Sequence, residues 1–99
     1  MAIIAISTAP AGVGSGLSKY VAQAVSIARE DGRVKVQLGS MFTTLEGNLD
    51  DCLDVAKQMH ESLFKAGAQR VGTVIKIDDR RDKNLTMTGK IESVESKLK

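Results

Sequence analysis

Residues 33–39 (RVKVQLG) alternate apolar and polar side chains up to a glycine turn, a second short run follows to Gly47, and on both sides of this stretch the apolar residues switch to helical spacing. Val34, Val36 and Leu38 fall on one face and Lys35 and Gln37 on the other. A turn near Gly39 and Ser40 leads into a second run, Met41 to Glu46, closed by Gly47. This reads as a β-hairpin with one apolar face. A hairpin held between two amphipathic helices is compatible with few architectures.

Before the hairpin, Leu17, Tyr20, Val21, Ala24, Val25 and Ala28 repeat at i, i+3, i+4, i+7, i+8 and i+11, the spacing of one helix face. Gly32 is the expected stop. After it, a helix is expected to start at Asn48 or Leu49–Asp50, with Asp50, Asp51 and Asp54 near its positive end. Cys52, Leu53, Ala56, Met59, His60 and Leu63 form its apolar stripe, and Gly67 is a typical terminator. Residues 2–10 (AIIAISTAP) read as a strand ended by Pro10. A last strand from Arg70 to Asp78 alternates Val71, Thr73, Ile75 and Ile77 against Gly72, Val74, Lys76 and Asp78. The order β-α-β-β-α-β predicts an α+β, ferredoxin-like fold: an antiparallel sheet with both helices on one face and the other face open. The tail from Thr86 to Lys99 carries Ile91, Val94 and Leu98 at helical spacing, with Thr88 as a cap. It is too short to be stable alone and must dock.

Composition limits the rest. Ninety-nine residues, 42% hydrophobic and 26% charged, predict a single domain over residues 1–99. With no Trp, and only Tyr20, Phe42 and Phe64 aromatic, the core is lean. An open sheet face on such a chain normally acquires a partner, and self-association would supply the missing burial. A net charge of +2 without a clustered patch points to neither nucleic acid nor an anionic membrane. Cys52 is the only cysteine, so no internal disulfide forms. The apolar Met1–Ile6 run has no basic residue before Lys19 and ends by Pro10, which is neither a signal peptide nor a spanning helix. A cytoplasmic location is expected.

No catalytic constellation emerges. The loop Gly12-Val13-Gly14-Ser15-Gly16 lies between a strand and a helix, but its G-x-G-x-G spacing departs from the dinucleotide fingerprint. Leu17 stands where a P-loop needs lysine. Cys52 and His60 lie eight apart on one helix, two turns distant, and read as core or interface residues. No cysteine or histidine cluster has zinc-ligand spacing. The run from Asp78 to Lys83 sets three acids against three bases and reads as a self-complementary subunit contact, a ligand contact or a solvated loop. An RNA-binding sheet would need stacked aromatics, and the strands offer only Phe42.

Three stretches resemble the small thiamine-binding protein family: Gly16 to Val21, Met41 to Gly47, and above all Thr73 to Val94 (TVIKIDDRRDKNLTMTGKIESV). The likeness runs through nearly the whole chain. It includes Ser7, Pro10, Gly12, Ser18, Tyr20, Met41, Thr43 and the residues from Asp78 to Asp82. The chain departs at Ser40-Met41-Phe42-Thr43, where relatives often have Pro-Met-Gly-Thr. Phe42 there would either stack a pyrimidine or fill the pocket.

The resemblance implies a ferredoxin-like fold, homodimers paired into homotetramers through their sheets, and binding of thiamine or its hydroxymethylpyrimidine moiety without catalysis or another cofactor. An aminopyrimidine needs a few hydroxyls or carboxylates in an apolar slot. Ser7, Ser18 and Thr43 are the candidate hydroxyls, Leu17, Met41 and Phe42 the candidate walls, and Asp78 the candidate acceptor or counter-ion. Val74, Lys76, Arg80, Arg81 and Asp82 are the candidate interface. The alternative is a structural or regulatory oligomerisation module without a vitamin ligand.

Overall fold

The computed structural model describes residues 1–98. Its elements are β1 (Ala2–Pro10), α1 (Ser18–Asp31), β2 (Lys35–Leu38), β3 (Thr43–Gly47), α2 (Leu49–Lys65), β4 (Val71–Asp79) and α3 (Met87–Glu95). The strands form one antiparallel sheet in the order β2-β3-β1-β4, which is the expected ferredoxin-like arrangement. Lys99, the last residue of the expected tail, lies outside the described residues.

Strand alternation sorts the sheet into two faces. Ala2, Ile4, Ile6 and Thr8 of β1 face α1 and α2, beside Thr43 and Leu45 of β3. Ile4, Ile6 and Leu45 pack with Ala24 and Ala28 of α1 and with Cys52, Val55, Ala56 and Met59 of α2. Val55, fully buried, takes the place that the sequence reading gave to Leu53, which is 36% exposed. Leu53 sits one step, about 100°, round the helix from Cys52, just outside the buried stripe. Asn48 caps α2, its Oδ1 accepting from the Asp50 amide at 2.9 Å. Gly32 ends α1 at φ 82°, a conformation that favours glycine.

The hairpin is shorter than the alternation suggested, because β3 starts at Thr43 and Ser40–Phe42 belong to the turn. A Cβ on Gly39 would stand 2.4 Å from the Phe42 carbonyl oxygen, so only glycine lets the turn close this tightly.

The tail helix also differs from its expected start. Thr86, extended at φ −125° and ψ 152°, is the cap, and its Oγ1 accepts from the Gly89 amide at 2.9 Å. Thr88 already lies inside the first turn, where it cannot act as the cap. The open face is therefore not wholly bare. The Met87 amide donates to Glu46 Oε1 at 2.7 Å, and Lys90 pairs with Asp78. Glu46, only 3% exposed, thus holds the first orphan amide of α3 against the sheet.

Opposite the sheet ends, Arg33 ties the two long helices together. It binds Asp31 at 2.7 and 2.9 Å and Asp54 at 2.6 Å, with Asp51 at 3.4 Å. The hydrogen bonds from Arg33 hold the Asp31 and Asp54 carboxyls below the usual carboxylate range.

Two outcomes follow from these contacts. Because the folded-state pKa values of Asp31 and Asp54 are depressed, their contribution is complete above about pH 4 and is lost as pH falls further. Arg33→Gln should therefore lower the urea midpoint at pH 7, with the gap to wild type closing below about pH 4. A gap that stays constant down to pH 2.5 would contradict the assignment. Glu46→Ala removes the charged acceptor of the Met87 amide, a bond of about 1.5–3 kcal/mol. Amide exchange over residues 87–95 should then accelerate by at least tenfold while exchange in β1 stays slow.

Candidate functional site

β1 is nine residues long, but β3 accompanies it only from Ala2 to Ile6. Beyond Ile6, the strand pairs with β4 alone as far as Pro10. At the place where β3 is missing, the turn after β2 and the first half of α1 surround a cavity of about 90 Å3. Val21, Ala24, Val25 and Met59 form its apolar wall, and Thr8, Ser40, Met41 and Thr43 border it from the sheet side. No ionisable side chain lines it.

Three of the sequence-predicted ligand residues meet here: Ser7, Met41 and Thr43. Thr43 is buried and Met41 is 80% exposed at the rim. By strand alternation the Ser7 side chain belongs to the open face, so Ser7 borders the cavity through its main chain and not through the expected hydroxyl. Leu17, half-buried, occupies the N-cap position of α1 without a side-chain cap bond, and Ser18 is its exposed first residue. Phe42 is 36% exposed in the turn. None of these three lines the cavity.

Asp78 is not part of this group. It pairs with Ile3 at the opposite end of the sheet, on the open face, where it holds Lys90. Together with Ile3, Ala5, Gln37, Lys76 and Ile91 it borders a groove of about 520 Å3 beside α3. The predicted interface residues gather at that end or on that face. Val74 is 59% exposed and Lys76 is exposed. Arg80 binds Asp82 at 2.6 and 3.0 Å, and Arg81 binds Asp79 at 2.8 and 3.1 Å. The Asp82 carboxyl is held low by Arg80. Four of the six charges of the run are thus paired within it, while Asp78 pairs with Lys90 of α3.

Residues that the sequence reading did not assign to a ligand site adjoin the cavity: Thr8, Thr73 and His60, the last read from sequence as a core or interface residue. Thr8 Oγ1 lies 2.7 Å from Thr73 Oγ1, and Thr73 Oγ1 lies 2.6 Å from His60 Nδ1. The imidazole meets Phe64 edge to face at 5.4 Å. Thr8 and Thr73 are direct cross-strand partners, a pairing that alternation alone does not specify. Cys52 is fully buried, and burial pushes its thiol pKa up, which disfavours the reactive thiolate. Among the described residues no cluster of three or more metal-ligating side chains occurs, and no helix is long and apolar enough to cross a membrane.

Comparison with known proteins adds a family. The family model for thiamine-binding protein matches residues 4–95. A UPF0045 protein of Bacillus subtilis is 42% identical over 102 residues, covering 99% of this chain and 98% of its own. A hypothetical protein of Methanocaldococcus jannaschii, 33% identical, superposes with a TM-score of 0.88 over 95% of each chain. A candidate thiamine biosynthesis/salvage protein of Thermotoga maritima shares the fold at a TM-score of 0.79 and 22% identity, over 94% of this chain and 97% of that one.

The turn that rims the cavity provides a direct test of this geometry. In Gly39→Ala the added methyl meets the Phe42 carbonyl, and the turn must open at a cost of about 1–3 kcal/mol. For a domain of this size, the melting temperature should fall by about 4–8 °C per kcal/mol. Amide shift changes should centre on residues 39–43 and on the cavity wall of α1. An unchanged melting temperature would mean that the turn is looser than described.

Proposed function

The chain belongs to the thiamine-binding protein family, and on that premise we propose that it binds thiamine, or the hydroxymethylpyrimidine part of it, at the cavity between α1 and the β2–β3 turn. The observation that carries this reading is the lining: two threonine hydroxyls and free strand backbone set in an apolar wall, with no ionisable side chain. That lining suits a flat, neutral, hydrogen-bonding ring. At about 90 Å3 the cavity is well below the ~300–1,000 Å3 of sites that enclose drug-sized ligands. One ring would enter, and the remainder would lie across the mouth beside the glycine-rich loop. Phe42, in the same turn, offers an aromatic face to a second ring or a cation. The likeness in fold to a candidate thiamine biosynthesis/salvage protein supports the same ligand class.

The role proposed is cytoplasmic carriage or sensing rather than catalysis, since hydroxyls and apolar walls bind and orient but provide no acid, base or activated nucleophile. We also propose that the active form is a homo-oligomer, a dimer pairing into a tetramer through the sheets. Val74 is 59% exposed, and Ile75 and Ile77, beside fully or nearly fully buried Ile6 and Ile4, are 40% and 47% exposed. Such surface also favours the second reading, an association module without a vitamin ligand.

Calorimetric titration with thiamine and, separately, with hydroxymethylpyrimidine tests the proposal. Saturable heat is expected with both. Thr43→Val, which keeps shape and removes a hydroxyl, should weaken binding about tenfold. Asp78→Asn, at the far end of the sheet, should leave affinity unchanged. No heat and no melting shift with either ligand would leave the association module. Light scattering then reads assembly independently: Val74→Lys should lower the mass of the particle.

A further inference from the structure

The cavity is joined to a titratable group by two hydrogen bonds. Thr8 lines the cavity, its Oγ1 is 2.7 Å from Thr73 Oγ1, and that oxygen is 2.6 Å from His60 Nδ1. A hydroxyl carries one proton. When Thr73 spends that proton within the chain, it donates to one partner and accepts from the other, which gives the relay two through-going senses.

When Nδ1 is a bare lone pair, Thr73 donates to it, Thr8 donates to Thr73, and Thr8 offers the cavity lone pairs alone. When His60 is the imidazolium, both ring nitrogens carry protons and neither can accept. Nδ1–H then donates to Thr73, Thr73 donates to Thr8, and the Thr8 proton is released to point into the cavity. We propose that His60 is a positioning residue which, through Thr73 and Thr8, sets whether the cavity presents a donor or an acceptor to its ligand. This deepens the reading of the cavity as the ligand site and rests on it. The ligand class that senses the switch is a pyrimidine, whose ring nitrogens accept and whose exocyclic amine donates.

The side chains that the sheet and α1 bring to this face near His60 are uncharged. On the helix-side face, β4 brings Val71, Thr73, Ile75 and Ile77, β1 brings Ile6 and Thr8, and β3 brings Thr43 and Leu45, all uncharged. From α1, uncharged Gln23 reaches this stretch of α2, donating to the Ser62 carbonyl at 3.0 Å. The charged neighbours within one turn are Lys57 and Glu61 of α2 itself, both exposed.

The first arm of the test uses no ligand. The His60 ring is titrated by side-chain nitrogen NMR in wild type, Thr8→Val and Thr8→Ser. Thr8→Val should move the midpoint and Thr8→Ser should restore it. Identical midpoints in all three would overturn the proposal. The second arm measures binding of hydroxymethylpyrimidine and of the same ring lacking the amine, between pH 5.5 and 8. In wild type the amine-free ring, an acceptor only, should gain about tenfold in affinity relative to the aminated ring as pH falls. In His60→Gln and Thr73→Val that ratio should not change with pH. A ratio that is flat in wild type overturns the switch. Binding of neither ring at any pH, with the first arm positive, overturns the ligand reading and leaves the coupling established.

Discussion

The structure depends on a mismatch of strand lengths. β1 has nine residues, and only β4 matches it along its whole length; β3 has five and leaves β1 at Ile6. A strand paired on both sides satisfies its backbone within the sheet, whereas one paired on a single side presents free groups to whatever lies beside it. Here those groups open onto the space beneath α1. The tight turn at Gly39 stops the hairpin short, and a cavity is left between that turn, the end of β1 and α1. The site is therefore a consequence of the register and not an addition to it.

The second constraint is the leanness of the core. None of the three aromatic residues is among the buried hydrophobics, which are aliphatic apart from Cys52 and Met59. Ala24, Ala28 and Ala56 let the two helices lie close to the sheet and to each other, which gives dense packing but little buried area per residue. The helices reach β1 and β3 fully and leave the isoleucines of β4 half exposed. α3 and the residues after it do not correct this, since Ile91 and Val94 are 46% and 60% exposed and Leu98, beyond the helix, is 68% exposed. β4, α3 and the β2–β3 turn all carry apolar surface that the fold does not bury.

Much of this was legible in the sequence, and the remainder was hidden for identifiable reasons. Periodicity alone separates the strands from the helices, and the β-α-β-β-α-β order then allows little besides the observed sheet. What periodicity cannot supply is register. Ser7 and Asp78 lie on the same face, but antiparallel pairing sets Ser7 opposite Val74 and Asp78 opposite Ile3, so residues grouped by motif are separated in space. Thr8, Thr73 and His60 are unremarkable one by one and become a chain only when Thr8 meets Thr73. Glu46 lies in the closing strand of the hairpin, yet the partner of its buried carboxylate is the Met87 amide, 41 residues away. Arg33 likewise gathers carboxylates from two helices, which helix-dipole reasoning about Asp54 does not anticipate.

The two ends of the sheet then divide the chemistry between them. At one end lie hydroxyls, backbone and apolar wall; at the other, Asp78 to Lys83 and α3 concentrate ion pairs that are exposed and mutually satisfied. Exposed pairs contribute little to stability, because water and salt screen them and holding the side chains costs entropy. They orient the loop instead: arginines and aspartates that already neutralise one another present little net charge to whatever approaches. The cavity has the opposite arrangement, with no ionisable side chain in its lining. Removing fixed charge from the cavity leaves a few oriented hydroxyls as the main polar determinants of fit, and the sense of a single hydrogen bond then counts in full.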